Sequence, residues 1–62
     1  MPLIEVSIAE GRSPGQLRSL VSALHRAAEE SIGAAPDNTT VIIREIPKTH
    51  WSRADVTIAE RQ

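Results

Sequence analysis

The feature that most constrains this chain is one long amphipathic stretch in its middle, bounded by residues that start and stop helices. Ser13 is a favourable N-cap, Pro14 suits the first helical position, and Gln16 completes a capping box. Gly33 supplies a stop signal. Between these bounds, apolar residues recur at spacings of three and four: Leu17, Leu20, Val21, Leu24, Ala27, Ala28 and Ile32. The pattern predicts a single helix from about residue 14 to residue 32, with one apolar stripe.

Two strand-like segments flank the predicted helix. On the N-terminal side, Ile4, Val6 and Ile8 alternate with other residues, which is typical of a strand with one face more buried. Pro2 lies two residues before Ile4, so it is expected on the same face of the strand. On the C-terminal side, residues 39–46 hold a β-branched run, which predicts a central strand covered on both faces. The order predicts an α/β fold, a βαβ unit in which one long helix crosses two parallel strands.

A chain of 62 residues forms a single domain, 1–62, with a small core. It has no cysteine for disulfides, and without cysteine its two histidines, His25 and His50, do not make a structural zinc site. We therefore expect self-association, with sheets joined between subunits and further copies on the uncovered face. A weak alternation over residues 56–58 predicts a short strand that contacts a neighbouring subunit. His25 is expected at a solvated surface, and His50 in a structural or surface position.

The charge pattern and the apolar runs exclude several classes of protein. Seven basic and eight acidic residues give a net charge of -1, and neither sign forms a run, so we expect no nucleic-acid partner. No apolar run approaches the roughly 20 residues that span a bilayer, and the N-terminus lacks a secretory signal pattern. We expect a cytoplasmic protein with no membrane partner.

The second residue is the best candidate for reactive chemistry, because the chain has no cysteine. A proline inside a chain has an amide nitrogen, whereas removal of Met1 would give Pro2 a secondary amine that takes up protons. Burial on the apolar face would disfavour the protonated amine and lower its pKa. The alternative is that Pro2 only opens an edge strand, where its missing N–H costs no ladder hydrogen bond.

Four short motifs resemble, in order and spacing, the small tautomerases typified by 4-oxalocrotonate tautomerase. They are Met1-Pro2 ahead of an alternating strand, the Glu-Gly-Arg-Ser turn at 10–13, the Val-Ile-Ile-Arg-Glu strand at 41–45, and His50-Trp51. The resemblance covers nearly the whole chain. It implies a βαβ subunit, assembly as a homo-hexamer or with a homologue as a hetero-hexamer, and no metal or organic cofactor.

The same resemblance implies keto-enol proton transfer on a small unsaturated 2-hydroxy or 2-oxo acid similar to 2-hydroxymuconate. Pro2 matches the family's general base, Arg12 the arginine that binds a substrate carboxylate, and Trp51 the aromatic residue that forms an apolar wall. In the family these groups come from different subunits. On the residues alone, Arg12 is equally an exposed turn arginine, and Trp51 equally an anchor of a subunit interface.

One position departs from the family pattern. Thr40 stands where the family has a second arginine, which binds a carboxylate and polarises the carbonyl oxygen, and a neutral hydroxyl cannot supply that charge. Arg44, of the same strand parity, and Arg53, in the tail, are candidates to replace it; Arg44 is equally a strand charge that faces solvent or pairs with a carboxylate. Two further hypotheses stay open: a partner subunit supplies the arginine, or the chain is a non-catalytic assembly or binding module.

Overall fold

A computed structural model describes residues 1–61, and its main unit is a strand, a helix and a second strand. The strands are β1 (Leu3–Ala9) and β2 (Thr40–Ile46), and the helix between them is α1 (Pro14–Ile32). β1 and β2 pair in parallel, from Leu3 opposite Thr40 to Ala9 opposite Ile46. The predicted α/β fold, with two parallel strands and one long helix, is confirmed.

Local capping interactions set both ends of α1, at the residues that the sequence predicts. The Ser13 side chain accepts a hydrogen bond from the Gln16 N–H at 3.1 Å, and the Gln16 side chain accepts one from the Ser13 N–H at 2.9 Å. At the other end, Gly33 has a left-handed backbone, with φ of 70°. Its N–H donates to the carbonyls of Ala28 and Glu29, which would otherwise lack partners.

The apolar stripe of α1 packs against the sheet along most, but not all, of its length. Ala28 is buried, and Leu17, Leu20, Val21 and Leu24 are half-buried. Ile32, predicted on the same stripe, is 71% exposed, and Ala27 is also exposed. A helix of 19 residues is roughly 28 Å long and a strand of seven roughly 23 Å, so the last turn extends past the sheet. In residues 1–61, no helix combines the length and apolar character that a membrane span requires.

The sheet has one half-buried face and one exposed face. Ile4, Val6 and Ile43 are half-buried, whereas Leu3 and Ile42 on the opposite face are 58% and 38% exposed. In the single chain the main sheet has two strands and α1 covers one side, so the central position and the second cover predicted for β2 stay predictions about the assembled protein. The strand also begins at residue 40 and not at residue 39.

A small antiparallel hairpin follows the βαβ unit. Its strands are β3 (Ser52–Arg53) and β4 (Val56–Thr57), and its two turn residues, Ala54 and Asp55, have φ of 54° and 61°. The alternation at 56–58 is thus half of a hairpin within the chain, and in the described residues its strand partner is β3. Short 3-10 turns occupy Pro36–Asn38, Lys48–His50 and Ala59–Arg61.

Candidate active site

Pro2 is held at the entrance of β1 by a backbone hydrogen bond to the other strand. The Thr40 N–H donates to the Pro2 carbonyl oxygen at 3.0 Å, which extends the β1–β2 ladder by one residue. Pro2 is half-buried, as its shared parity with Ile4 predicts. Met1 is 92% exposed, so its removal breaks no buried packing. Residue 2 therefore keeps its backbone anchor whether or not Met1 is present.

Arg12 lies in the exposed turn between β1 and α1. Its Nη1 donates to the Ala9 carbonyl oxygen at 2.9 Å, which ties the guanidinium group to the end of the strand. Gly11, one residue earlier, has φ of 131°, a conformation that favours glycine. A Cβ on Gly11 would lie 3.6 Å from the Lys48 Cε, so Lys48 is a second basic residue beside this turn.

The predicted base and the predicted carboxylate anchor lie at opposite ends of the sheet within one chain. Pro2 precedes β1 and Arg12 follows it, and a seven-residue strand spans roughly 23 Å. Trp51 also lies beyond the far end, because it follows β2 by five residues. A single chain thus does not bring Pro2 together with Arg12 or Trp51. An active site that uses all three requires a second copy or a homologous subunit.

Thr40 and Arg44 lie on the exposed face of the sheet, opposite the face that carries Pro2. Thr40 is exposed, and the contact that it makes to Pro2 comes from its backbone and not from its hydroxyl. The Arg44 Nη2 lies 3.3 Å from the Glu5 Oε1, and both side chains are about half exposed (50% and 49%). Arg44 therefore occupies the position that the alternative interpretation describes, a strand charge paired with a carboxylate.

Trp51 and Arg53 line a cavity of about 220 Å³ in the C-terminal segment, together with Val56, Ile58 and Arg61. The Ile58 N–H donates to the Trp51 carbonyl at 2.9 Å, and the Arg61 Nη2 donates to the Arg53 carbonyl at 3.0 Å. Sequence reasoning missed Arg61. The turn at Ala54 and Asp55 folds the tail back, but it lacks the glycine or asparagine that would have marked it in the sequence.

The two histidines, His25 and His50, do not line the cavity that Trp51 and Arg53 line. His50 is exposed in a 3-10 turn, as predicted. His25, predicted at a solvated surface, is instead half-buried, and its Nδ1 is buried with no hydrogen-bond partner among residues 1–61. The reason is that His25 lies in a concavity of about 420 Å³ on the side of α1 beside Pro36. The residues that line it are Arg18, Ser22, His25, Arg26, Glu29 and Pro36. It contains none of the predicted site residues.

Comparison with known proteins supports an enzymatic identity along the whole described chain. Residues 2–61 match the family described as "Tautomerase enzyme". A probable tautomerase of Ralstonia nicotianae is 41% identical over 56 residues, which cover 90% of this chain and 80% of that protein. A 2-hydroxymuconate tautomerase of Comamonas testosteroni is 35% identical over 60 residues, which cover 97% and 95% of the two chains.

Solved structures show the same fold. TomN, a 4-oxalocrotonate tautomerase homologue of the tomaymycin biosynthetic pathway, is 40% identical, with a TM-score of 0.93 over 97% of this chain and 92% of that one. A heterohexameric 4-oxalocrotonate tautomerase of Chloroflexus aurantiacus is 34% identical, with a TM-score of 0.93 and full coverage of both chains. The resemblance seen in the four sequence motifs is thus confirmed in sequence and in fold, and the chain belongs to the tautomerase family as an enzyme of the isomerase class.

Proposed function

We propose that the chain is a proline-based tautomerase, with Pro2 as general base after removal of Met1. The observation that carries the proposal is the state of residue 2: its carbonyl is fixed by the Thr40 N–H at 3.0 Å, while Met1 is 92% exposed. Removal of Met1 converts the Pro2 nitrogen from an amide to a secondary amine without loss of this anchor. A fixed amine beside half-buried Ile4 suits a base, since a less polar setting favours its neutral form.

The proposed substrate is a small unsaturated 2-hydroxy or 2-oxo acid similar to 2-hydroxymuconate. Pro2 accepts the proton that the enol form loses, and the resulting ammonium returns a proton to carbon, so the product is an isomer and the base is regenerated. Arg12 binds a carboxylate through charge-assisted hydrogen bonds, which places the reacting atoms beside the amine. Trp51 forms the apolar wall of the site. The 2-hydroxymuconate tautomerase from Comamonas testosteroni supports this substrate class.

The active form that we propose is a hexamer in which the site is shared between subunits. Support comes from the separation of Pro2 and Arg12 by the full length of β1, and from the open sheet face, where Leu3 is 58% exposed. A homo-hexamer is the simpler assembly. The heterohexamer of Chloroflexus aurantiacus supports the second candidate, in which a homologous subunit supplies the cation that Thr40 does not.

Arg53 is a better candidate than Arg44 to compensate for Thr40. Arg44 is committed to Glu5 at 3.3 Å, and using it in the site would require breaking that ion pair. Arg53 lines a cavity together with Trp51, the proposed aromatic wall. Because the matched relatives are tautomerases, the catalytic hypotheses have support that the non-catalytic module lacks.

The test compares the parent with chains altered at the N-terminus and with a control variant. Intact mass first establishes whether Met1 is absent, and ketonisation of 2-hydroxymuconate or phenylenolpyruvate is then followed by ultraviolet absorbance. We expect Pro2→Ala, and a chain with one extra residue ahead of Pro2, to lose about 100-fold or more in kcat/KM. The extra-residue chain keeps the ring but makes its nitrogen an amide, so it isolates the amine. Arg18→Gln, on the outer side of α1, is the control.

Two results would count against the proposal. Unchanged kcat/KM in both altered chains would exclude Pro2 as the base. Failure of a 3-halopropiolate to label residue 2 of the mature chain would show that the amine is absent or unreactive.

Activity that appears only after coexpression with a homologue would favour the hetero-hexamer, whereas full activity of the pure chain would exclude it.

A further inference from the structure

The cavity in the C-terminal segment combines an apolar interior with two positive charges. Trp51 supplies an aromatic wall, Val56 and Ile58 supply aliphatic surface, and Arg53 and Arg61 supply the guanidinium groups. Of the residues that the structure describes, the five that line the cavity include no acidic side chain. A small apolar site with a few fixed polar groups is the usual form of a site for a small organic molecule. The positive charges of Arg53 and Arg61 favour an anionic molecule.

Two acidic residues, Asp55 and Glu60, lie close in sequence to the residues that line the cavity. The Glu60 carboxylate accepts a hydrogen bond from the Thr57 hydroxyl at 3.1 Å, and the Glu60 N–H donates to the same hydroxyl at 3.2 Å. Asp55 lies at the tip of the hairpin and does not line the cavity. Within residues 1–61, neither carboxylate lines the cavity that Arg53 and Arg61 line.

Hydrogen bonds within the segment hold the lining residues in place. The Arg61 Nη2 donates to the Arg53 carbonyl at 3.0 Å, the Ile58 N–H donates to the Trp51 carbonyl at 2.9 Å, and the Arg61 N–H donates to the Ile58 carbonyl at 3.1 Å. Arg61 is thus tied across the hairpin by a bond that uses one of its five side-chain N–H donors. A guanidinium group held in this way needs less ordering when a ligand binds.

We propose that this cavity is a carboxylate subsite, in which Arg53 and Arg61 bind the carboxylate end of a short organic acid and Trp51 contacts its carbon chain. A volume of about 220 Å³ equals roughly seven water molecules, which suits a small acid. The inference rests on the proposed tautomerase function and narrows its substrate to acids with a carboxylate at the end remote from Arg12. Because Thr40 begins β2 and Trp51 follows its other end, the positive charge that Thr40 lacks would come from the C-terminal segment of a second subunit in the proposed hexamer.

Trp51 makes the test direct, because it is the one tryptophan of the chain and lines the cavity. The probe is adipate, a saturated six-carbon dicarboxylate that has no enol to turn over, titrated against the assembled protein while Trp51 fluorescence is recorded. Adipamide, the neutral diamide of the same length, is the matched ligand control. We expect adipate, and not adipamide, to perturb the fluorescence, with affinity that falls as salt rises.

Substitutions then assign the binding to the two arginines. We expect Arg53→Gln and Arg61→Gln each to weaken adipate binding by about tenfold or more, because each removes charge-assisted hydrogen bonds. Arg61→Lys keeps the charge but loses the planar fork, so we expect an intermediate loss. Arg18→Gln is the control and should bind as the parent does. Circular dichroism and size-exclusion chromatography check that the fold and the assembly persist.

The outcomes separate this inference from the proposed function. Parent-like adipate affinity in the folded Arg53 and Arg61 variants overturns the subsite, and equal binding of adipamide overturns its charge selectivity. If Pro2→Ala abolishes turnover while the arginine variants bind adipate normally, the function stands and the subsite is wrong. If adipate binding depends on Arg61 but Pro2→Ala leaves turnover unchanged, the subsite stands and the proposed base is wrong.

Discussion

Ala54 should be the position where a glycine stabilises this protein. Ala54 and Asp55 are the two turn residues between β3 and β4, with φ of 54° and 61°. Two-residue hairpin turns with positive φ at both positions favour glycine and asparagine, because a Cβ crowds the neighbouring carbonyl. The substitution that we consider is Ala54→Gly, which removes the Cβ and leaves the backbone path unchanged.

The expected gain follows from two opposing terms. A left-handed conformation costs a non-glycine residue about 1–2 kcal/mol, and glycine adds about 0.4–1 kcal/mol of entropy cost through the unfolded chain. The difference between the two terms is an increase of about 0.5–1 kcal/mol in the free energy of unfolding of Ala54→Gly. For a domain of this size, that corresponds to a rise in Tm of roughly 2–8 °C. Asp55→Gly should give a smaller gain, because aspartate tolerates this conformation better than alanine.

The assay is thermal unfolding followed by circular dichroism, at one fixed protomer concentration because assembly makes Tm depend on concentration. The matched control is Ala23→Gly, the same substitution at an exposed position inside α1. There glycine should destabilise by about 0.5–1 kcal/mol. The two substitutions should thus have opposite signs. A fall in Tm for Ala54→Gly equal to that for Ala23→Gly would refute the reasoning about backbone strain.

Three further substitutions test the site and the elements that position it. Thr40→Arg keeps the N–H that holds Pro2 and adds a cation at the position of the neutral hydroxyl. We therefore expect kcat/KM for a dicarboxylate dienol, measured by ultraviolet absorbance, to rise about tenfold or more. No gain would mean that the cation is already supplied elsewhere. Ser13→Ala removes the N-cap of α1 and should cost about 1 kcal/mol in thermal unfolding, whereas Ser13→Thr should cost less. Thr39→Val removes the hydrogen bond from the Thr39 hydroxyl to the Ala35 carbonyl at 2.9 Å and should cost about 1 kcal/mol in urea unfolding; an unchanged midpoint would show that this bond adds nothing.

The bounds of the helix could be predicted because short-range interactions set them. Ser13 and Gln16 satisfy each other's backbone groups within one turn, and Gly33 accepts a left-handed conformation without a Cβ penalty. Ile32 shows the limit of this reasoning. The spacing of residues places it on the apolar stripe, but its exposure depends on how far the sheet extends beneath the helix, which no local pattern contains.

The sequence proposes residues for the candidate site but does not contain their geometry. Pro2 and Arg12 are adjacent to motifs that can be read directly, yet the structure places them at opposite ends of β1. The Arg44 side chain pairs with Glu5, 39 residues away in sequence, because parallel pairing brings the two strands into register. Pairing over that distance depends on the register of two strands, and local patterns do not specify it.

The sequence by itself determined the βαβ order, the ends of α1, the identity of the one residue that can become a secondary amine, and the neutral side chain at position 40. Only the tertiary structure decided that Thr40 holds Pro2 through its backbone and that Arg61 joins Arg53 and Trp51 around a cavity. The physical reason is the separation along the chain over which each interaction acts. Caps and periodicity act within a few residues, whereas strand register and the fold of the C-terminal hairpin depend on contacts between segments that are distant in the chain.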